Sequence, residues 1–135
     1  MSTSTGVTHL LELYDCPPEI LDDRHFIEAA LAEAVDEADA TLLQQVSRRF
    51  VPQGVTALAL LAESHISIHT WPEVGYAAVD IFTCGNRAMP DQAGQHLVRR
   101  LQAGRHTLQR ADRGTELGVD GAQLGPKPVA ALEAS

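Results

Sequence analysis

The sequence predicts an α+β fold, a two-layer sandwich whose mainly antiparallel sheet carries two helices on one face, in the order β-α-β-β-β-α-β. Three observations carry that expectation. Four strand-like runs between Thr41 and Thr83 are separated only by short turns, which favours antiparallel pairing over crossover connections. One of them, HISIHTW at 65–71, alternates polar and apolar residues cleanly. Two longer stretches flanking the cluster show the spacing of amphipathic helices. At 135 residues, 44% hydrophobic and 21% charged, the chain is long enough to bury the core of one domain. Aromatics make up only 4%, so that core falls to Leu, Val, Ile and Ala.

In chain order, HLLELYD at 9–15 is a short apolar-rich strand, ended by Cys16-Pro17-Pro18. From Pro18 to about Ala38 the chain reads as one helix, with Phe26, Ile27, Ala30, Leu31, Ala34 and Val35 on one face and Glu28, Glu33, Asp36 and Glu37 elsewhere. TLLQQVSRRF at 41–50 is a strand, Pro52-Gln53-Gly54 a turn, and VTALALLA at 55–62 a nearly continuous apolar strand. HISIHTW follows, Pro72 to Gly75 turns the chain, and YAAVDIFT at 76–83 is the next strand. A second helix starts near Pro90-Asp91, since proline suits the first turn and aspartate the positive helix end. Its buried stripe is Ala93, Leu97 and Leu101. RHTLQRA at 105–111 is a final edge strand. The single domain thus spans 1–113, and Gly114 onward, rich in Gly, Pro and Ala, reads as a flexible C-terminal tail over 114–135.

Several function classes drop out. A formal net charge of −8 argues against a nucleic-acid scaffold, which needs a basic face. No apolar run approaches the roughly 18 residues of a membrane span, and the start lacks the pattern of a secretory signal. Cys16 and Cys84 are the only cysteines, and two thiols in an unexported chain point to a reducing compartment, the cytoplasm.

The stretch LAESHISIHTW at 61–71 then stands out, because it sets Glu63, Ser64, His65 and His69 within a buried-looking hairpin. Alternation puts His65, Ser67, His69 and Trp71 on one face and Ile66, Ile68 and Thr70 on the other. If the isoleucines enter the core, the histidine face is the one a two-layer domain leaves open, either solvated or holding a site sealed by a second subunit. A metal site is not expected. Residues i and i+4 of a strand lie about 13 Å apart, too far for one ion, and neither cysteine belongs to a CxxC pair. Ser64 has no GxSxG elbow around it, and alone it reads as a turn former. Cys84, alone, reads as a packing thiol. The three together, Ser64 at a turn, His69 on a strand and Cys84 ending another, are harder to dismiss.

These residues carry a resemblance. FVPQGVTALALLAESHISIHTWPEVGYAAVDIFTCG, Phe50 to Gly85, resembles the core of the prokaryotic S-adenosylmethionine decarboxylase proenzyme family through its PQGV, AESH, IHTWPE, GYAAVD and FTCG elements. HLLELYDCP and the acidic helix after it extend the similarity to residues 9 to about 112. The resemblance implies a pyruvoyl enzyme: a precursor that cuts itself between Glu63 and Ser64, Ser64 becoming a covalent pyruvoyl cofactor at the head of the larger chain. That carbonyl forms a Schiff base with the substrate amine and takes up the electrons released on decarboxylation, so no dissociable cofactor is needed. The implied product is the aminopropyl donor for polyamine (spermidine) synthesis.

By the same resemblance His69 moves a proton during self-processing and Cys84 protonates the decarboxylated carbon and helps cleavage. Glu73 binds the ribose hydroxyls, and Phe50 stacks on the adenine. A homodimer with each active site built from both subunits is also implied. The family commonly reads PQGVS where this chain reads PQGVT. Thr56 keeps the hydroxyl that assists processing, but β-branching restricts it, and slower self-cleavage is expected. Relatives that decarboxylate arginine or ornithine share the chemistry. Phe50 and Glu73 lean toward a nucleoside. A non-catalytic paralogue would be free to lose Ser64, His69 or Cys84, and all three are present.

Overall fold

A computed structural model describes residues 6–84 and 89–116. The expected tail therefore lies outside the described residues apart from 114–116. Six strands form one sheet: β1 (Gly6–Tyr14), β2 (Leu42–Arg49), β3 (Val55–Leu61), β4 (Ser64–Trp71), β5 (Tyr76–Thr83) and β6 (Arg105–Arg113). Their order is β2-β3-β4-β5-β1-β6, and every neighbouring pair is antiparallel. The α+β sandwich is as expected, with β6 on an edge. β1 begins three residues earlier than the sequence indicated, at Gly6, because β5 and β6 flank it and pair with it up to its first residues.

The first helix departs from expectation. Instead of one helix from Pro18 to Ala38 there are two, α1 (Pro18–Leu21) and α2 (Arg24–Glu37). Asp22 and Asp23 cause the break. The Asp23 carboxylate accepts the Phe26 N–H at 3.1 Å and caps α2, while Asp22 turns away to bind Arg49 and Gly54. α3 (Met89–Arg100) begins next to the expected Pro90-Asp91 and ends in Arg99 and Arg100, cations suited to a helix C-terminus.

The core lies between the sheet and α2 and α3. Ile66 and Ile68 are fully buried there, beside Ile27, Leu31, Ala93, Leu97 and Leu101. Burying a side chain of that size is worth about 2 kcal/mol. Glu33 ties the two long helices together, accepting from His96 Nε2 at 2.9 Å and Arg100 Nε at 2.7 Å, and these donors, Arg100 first, hold its carboxyl below the usual carboxylate range. The other sheet face is open. Val46, Leu58 and Leu60 show their side chains there, 56%, 38% and 46% exposed. Among the described residues no helix is long and apolar enough to cross a membrane.

Candidate active site

The sequence candidates fall into two groups at opposite ends of β4. One group surrounds the β3–β4 hairpin. Ser64 opens β4 with φ 148°, in a region that L side chains rarely adopt. Register pairs Ser64 with Thr83, the last residue of β5, and so brings Cys84 to the hairpin. The Cys84 thiol donates to the carbonyl oxygen of Glu63, with Sγ 3.6 Å away. The Glu63 carboxylate reaches back to the start of β2, accepting the Thr41 N–H at 3.0 Å and the Thr41 hydroxyl at 3.5 Å. Next to Ser64, His65 stacks on Phe82 with centroids 6.1 Å apart. The Phe82 ring also covers Gly6, where a Cβ would come within 2.5 Å of the tip of the ring, so a larger residue there would have to displace it.

The second group sits where β3 begins and β4 ends. Thr56 pairs with His69 across the ladder, and its Oγ1 lies 3.1 Å from His69 Nδ1. The open-face alternation read from HISIHTW continues onto the neighbouring strands as a run of rings. His69 leans on Trp71 at 6.4 Å, Trp71 stacks on Tyr76 at 5.2 Å, and Tyr76 stacks on Tyr14 at 5.6 Å. Arg105 caps the run, its guanidinium 4.5 Å from the Tyr14 centroid. Tyr76 donates its hydroxyl to Glu12 at 2.8 Å, and burial together with that carboxylate pushes its pKa up to about 12.

Phe50 and Glu73 belong to this second end. Phe50 follows β2, whose last residue, Arg49, pairs with Val55 next to Thr56, and its ring is 47% exposed. Glu73 lies in the 3-10 turn Pro72–Val74 just after Trp71. The loop carrying Phe50 is tied down from α1. Arg49 donates to Asp22 at 2.7 Å, the Gly54 N–H donates to the same carboxylate at 2.9 Å, and the Phe50 N–H bonds the Gly54 carbonyl at 2.8 Å. The Arg49 and Gly54 donors hold the Asp22 carboxyl below its ordinary range.

Within one chain, then, Ser64 and Cys84 meet Glu63, and Thr56 and His69 meet each other, but the two groups do not meet. Five residues of extended strand separate Ser64 from His69, about 16 Å. Sequence reasoning missed Thr41, Asp22 and the Tyr14–Tyr76 pair, whose proximity depends on strand order. Among the described residues no group of three or more His, Cys, Asp or Glu side chains gathers as a metal site.

The fold is an antiparallel α+β sandwich whose β3–β4 hairpin sets a thiol against the carbonyl that precedes a serine at φ 148°. The S-adenosylmethionine decarboxylase family model matches residues 8–114, and the chain belongs to that family. An S-adenosylmethionine decarboxylase proenzyme of Synechococcus sp. (strain WH7803) is 56% identical over 110 residues, covering 82% of this chain and 86% of the relative. One from Pseudomonas aeruginosa (strain LESB58) is 43% identical over 123 residues, 91% of this chain and 74% of the relative. The crystal structure of the adenosylmethionine decarboxylase from Aquifex aeolicus VF5 superposes with a TM-score of 0.78 at 37% identity, covering 84% of this chain and 93% of that one.

Proposed function

We propose that the chain is made as a precursor, cuts itself between Glu63 and Ser64, and in its two-chain form decarboxylates S-adenosylmethionine to an aminopropyl donor for polyamine (spermidine) synthesis. The observation that carries this is at the hairpin, where a thiol donates to the Glu63 carbonyl and the next residue holds φ 148°. Relatives named S-adenosylmethionine decarboxylase proenzyme support both the precursor form and the substrate.

In the first step the Ser64 Oγ bonds to the Glu63 carbonyl carbon as the C–N bond breaks, and the nitrogen takes the hydroxyl proton. The backbone is now an ester. Loss of the Ser64 Cα proton drives the ester oxygen from Cβ, leaving Glu63 with a new carboxylate and residue 64 as a dehydroalanine. Its enamine shifts to an imine, and water releases ammonia to leave a pyruvoyl group. The thiol at 3.6 Å from the Glu63 oxygen helps by hydrogen-bonding the charge that develops there. His69 moves protons in this sequence, and Thr56, bonded to its Nδ1, fixes the ring.

The pyruvoyl carbonyl supplies an electron sink for the pair left behind when carbon dioxide departs. The chain's own residues do the rest. Cys84 returns a proton to the decarboxylated carbon, Glu73 accepts hydrogen bonds from the ribose hydroxyls, and the exposed Phe50 ring stacks on the adenine.

The separation of about 16 Å between Ser64 and His69 favours a homodimer. A two-fold axis through the open sheet face lays the His69 end of one subunit on the Ser64 end of the partner subunit, so that each complete site draws on both. Val46, Leu58 and Leu60 give that contact an apolar surface. The domain of residues 1–113 carries this chemistry, in the cytoplasm, where Cys16 and Cys84 stay as thiols.

Intact-mass measurement on purified protein tests the proposal. Two fragments splitting before Ser64, the larger without its amino nitrogen, are expected. A chain that stays whole overturns it. Carbon dioxide release should be seen with S-adenosylmethionine, and release from arginine or ornithine instead overturns the substrate.

A further inference from the structure

The Glu63 side chain has no part in the bond changes just described, yet it is held. Its carboxylate takes the Thr41 N–H at 3.0 Å and the Thr41 hydroxyl at 3.5 Å, while the Thr41 carbonyl accepts the N–H of Ala62 at 3.0 Å. Thr41 directly precedes β2, which among the described residues pairs with β3 alone, on the far side from β4, so the clasp ties the hairpin tip to the start of a strand outside the hairpin. Together with the Cys84 thiol on the Glu63 oxygen, it surrounds one peptide group. Residue 62 is fixed by its N–H, residue 63 by its side chain and the carbonyl by its oxygen.

We propose that Thr41 is a positioning residue for self-cleavage, gripping the Glu63 side chain so that the Glu63 carbonyl stays presented to Ser64 Oγ and Cys84. The physical need for it lies in the φ of 148° at Ser64. A strained peptide next to a two-residue turn relaxes by rotating the weakest-held unit, and an unanchored Glu63 would let the carbonyl swing away from the thiol. Attack requires the reacting atoms held near 3 Å and aligned, and a misplacement of about 1 Å can cost about a hundredfold in rate. The carboxylate contributes here by its reach and its acceptor geometry.

The proposal rests on the self-cleavage reading, and one set of variants separates the two. Cleavage is followed by intact mass on freshly made full-length chain, with and without hydroxylamine, which cuts at the ester. Glu63→Ala keeps the scissile carbonyl but drops the clasp, and should cut roughly tenfold to a hundredfold more slowly. Hydroxylamine should not restore its rate, because the ester itself forms slowly. Glu63→Asp keeps the charge but falls short of Thr41 and should be slow as well. Glu63→Gln keeps an acceptor for the Thr41 N–H and should recover most of the loss. Melting temperatures of the same changes made in an uncleavable Ser64→Ala chain show whether folding is intact. If Glu63→Ala is unfolded, Glu63→Asp decides. A wild-type chain that cuts while both variants cut equally fast overturns the clasp alone. Variants that are slow but fully rescued by hydroxylamine also overturn it, placing the defect in elimination. A wild-type chain that never cuts overturns the clasp and the self-cleavage reading together.

Discussion

At the Ser64 end of β4 the unusual features belong to the backbone: a positive φ, a carbonyl facing a thiol, and a turn residue tied to a strand outside its hairpin. At the His69 end they belong to side chains: a hydroxyl–imidazole bond, four stacked or tilted rings, and a loop whose shape is held by Asp22 and Arg49. In the proposed function the contrast corresponds to two kinds of work. The Ser64 end carries the peptide bond that is broken once, and the His69 end, besides moving protons in that step, offers the side chains on which a small molecule is bound at each turnover.

The sharpest way to break the comparison is to disable one end at a time. Ser64→Ala should leave one uncut chain and release no carbon dioxide, and His69→Ala should severely slow cutting. If the ends serve each other across a dimer, producing the two variants together should restore roughly a quarter of wild-type decarboxylation, since about half of the dimers carry both and each such dimer keeps one intact site. No restoration would mean that each chain builds its own site.

Substitutions at the binding end should have smaller effects. Phe50→Ala and Glu73→Gln should each weaken the substrate about tenfold, about 1.4 kcal/mol, raising KM more than they lower kcat. A fall in kcat with KM untouched would move these residues out of the binding role. Thiol labelling contrasts the two cysteines. At neutral pH an alkylating reagent should modify Cys84 and spare Cys16, which is buried and whose thiol burial, aided by Asp15, pushes up to about 11. Mass mapping of the labelled peptide checks this.

The smallest effect concerns acid. Because Arg49 and the Gly54 N–H depress the Asp22 pKa, their contribution is present above the unfolded carboxylate value and lost as pH falls through the folded one. Binding should therefore show no Asp22 dependence from neutral pH down to about pH 4 and weaken only below it. Asp22→Asn should remove that acid limb. An unchanged limb would detach Asp22 from the Phe50 loop.

Local pattern revealed most of the fold. HISIHTW alternates because one face is buried, and Ile66 and Ile68 are indeed inside. Ala93 and Leu97 of α3, with Leu101 just after it, form the buried stripe that the spacing predicts, while His96 and Arg100 between them tie α3 to Glu33 of α2. The helix break at Asp22-Asp23 was hidden because apolar spacing runs on through Ile20 and Leu21, while the decisive events are a cap and an ion pair to Arg49, 27 residues away. Motifs marked Ser64, His69 and Cys84, but motifs do not carry register. That Cys84 meets Glu63 while His69 meets Thr56 follows from how β3, β4 and β5 align. Thr41 left no trace in the sequence, for a backbone N–H donor looks alike at every residue.

The strand order has one more consequence. A cut before Ser64 assigns β1, β2 and β3 to one fragment and β4, β5 and β6 to the other, and the sheet runs β2-β3-β4-β5-β1-β6. The fragments are therefore interleaved, with β1 of the shorter one threaded between β5 and β6 of the longer. Neither can leave without tearing ladders on both sides of β1 as well as the one between β3 and β4. Severing the backbone frees a new chain end at the hairpin while the sheet itself remains the clamp that holds two polypeptides as one body.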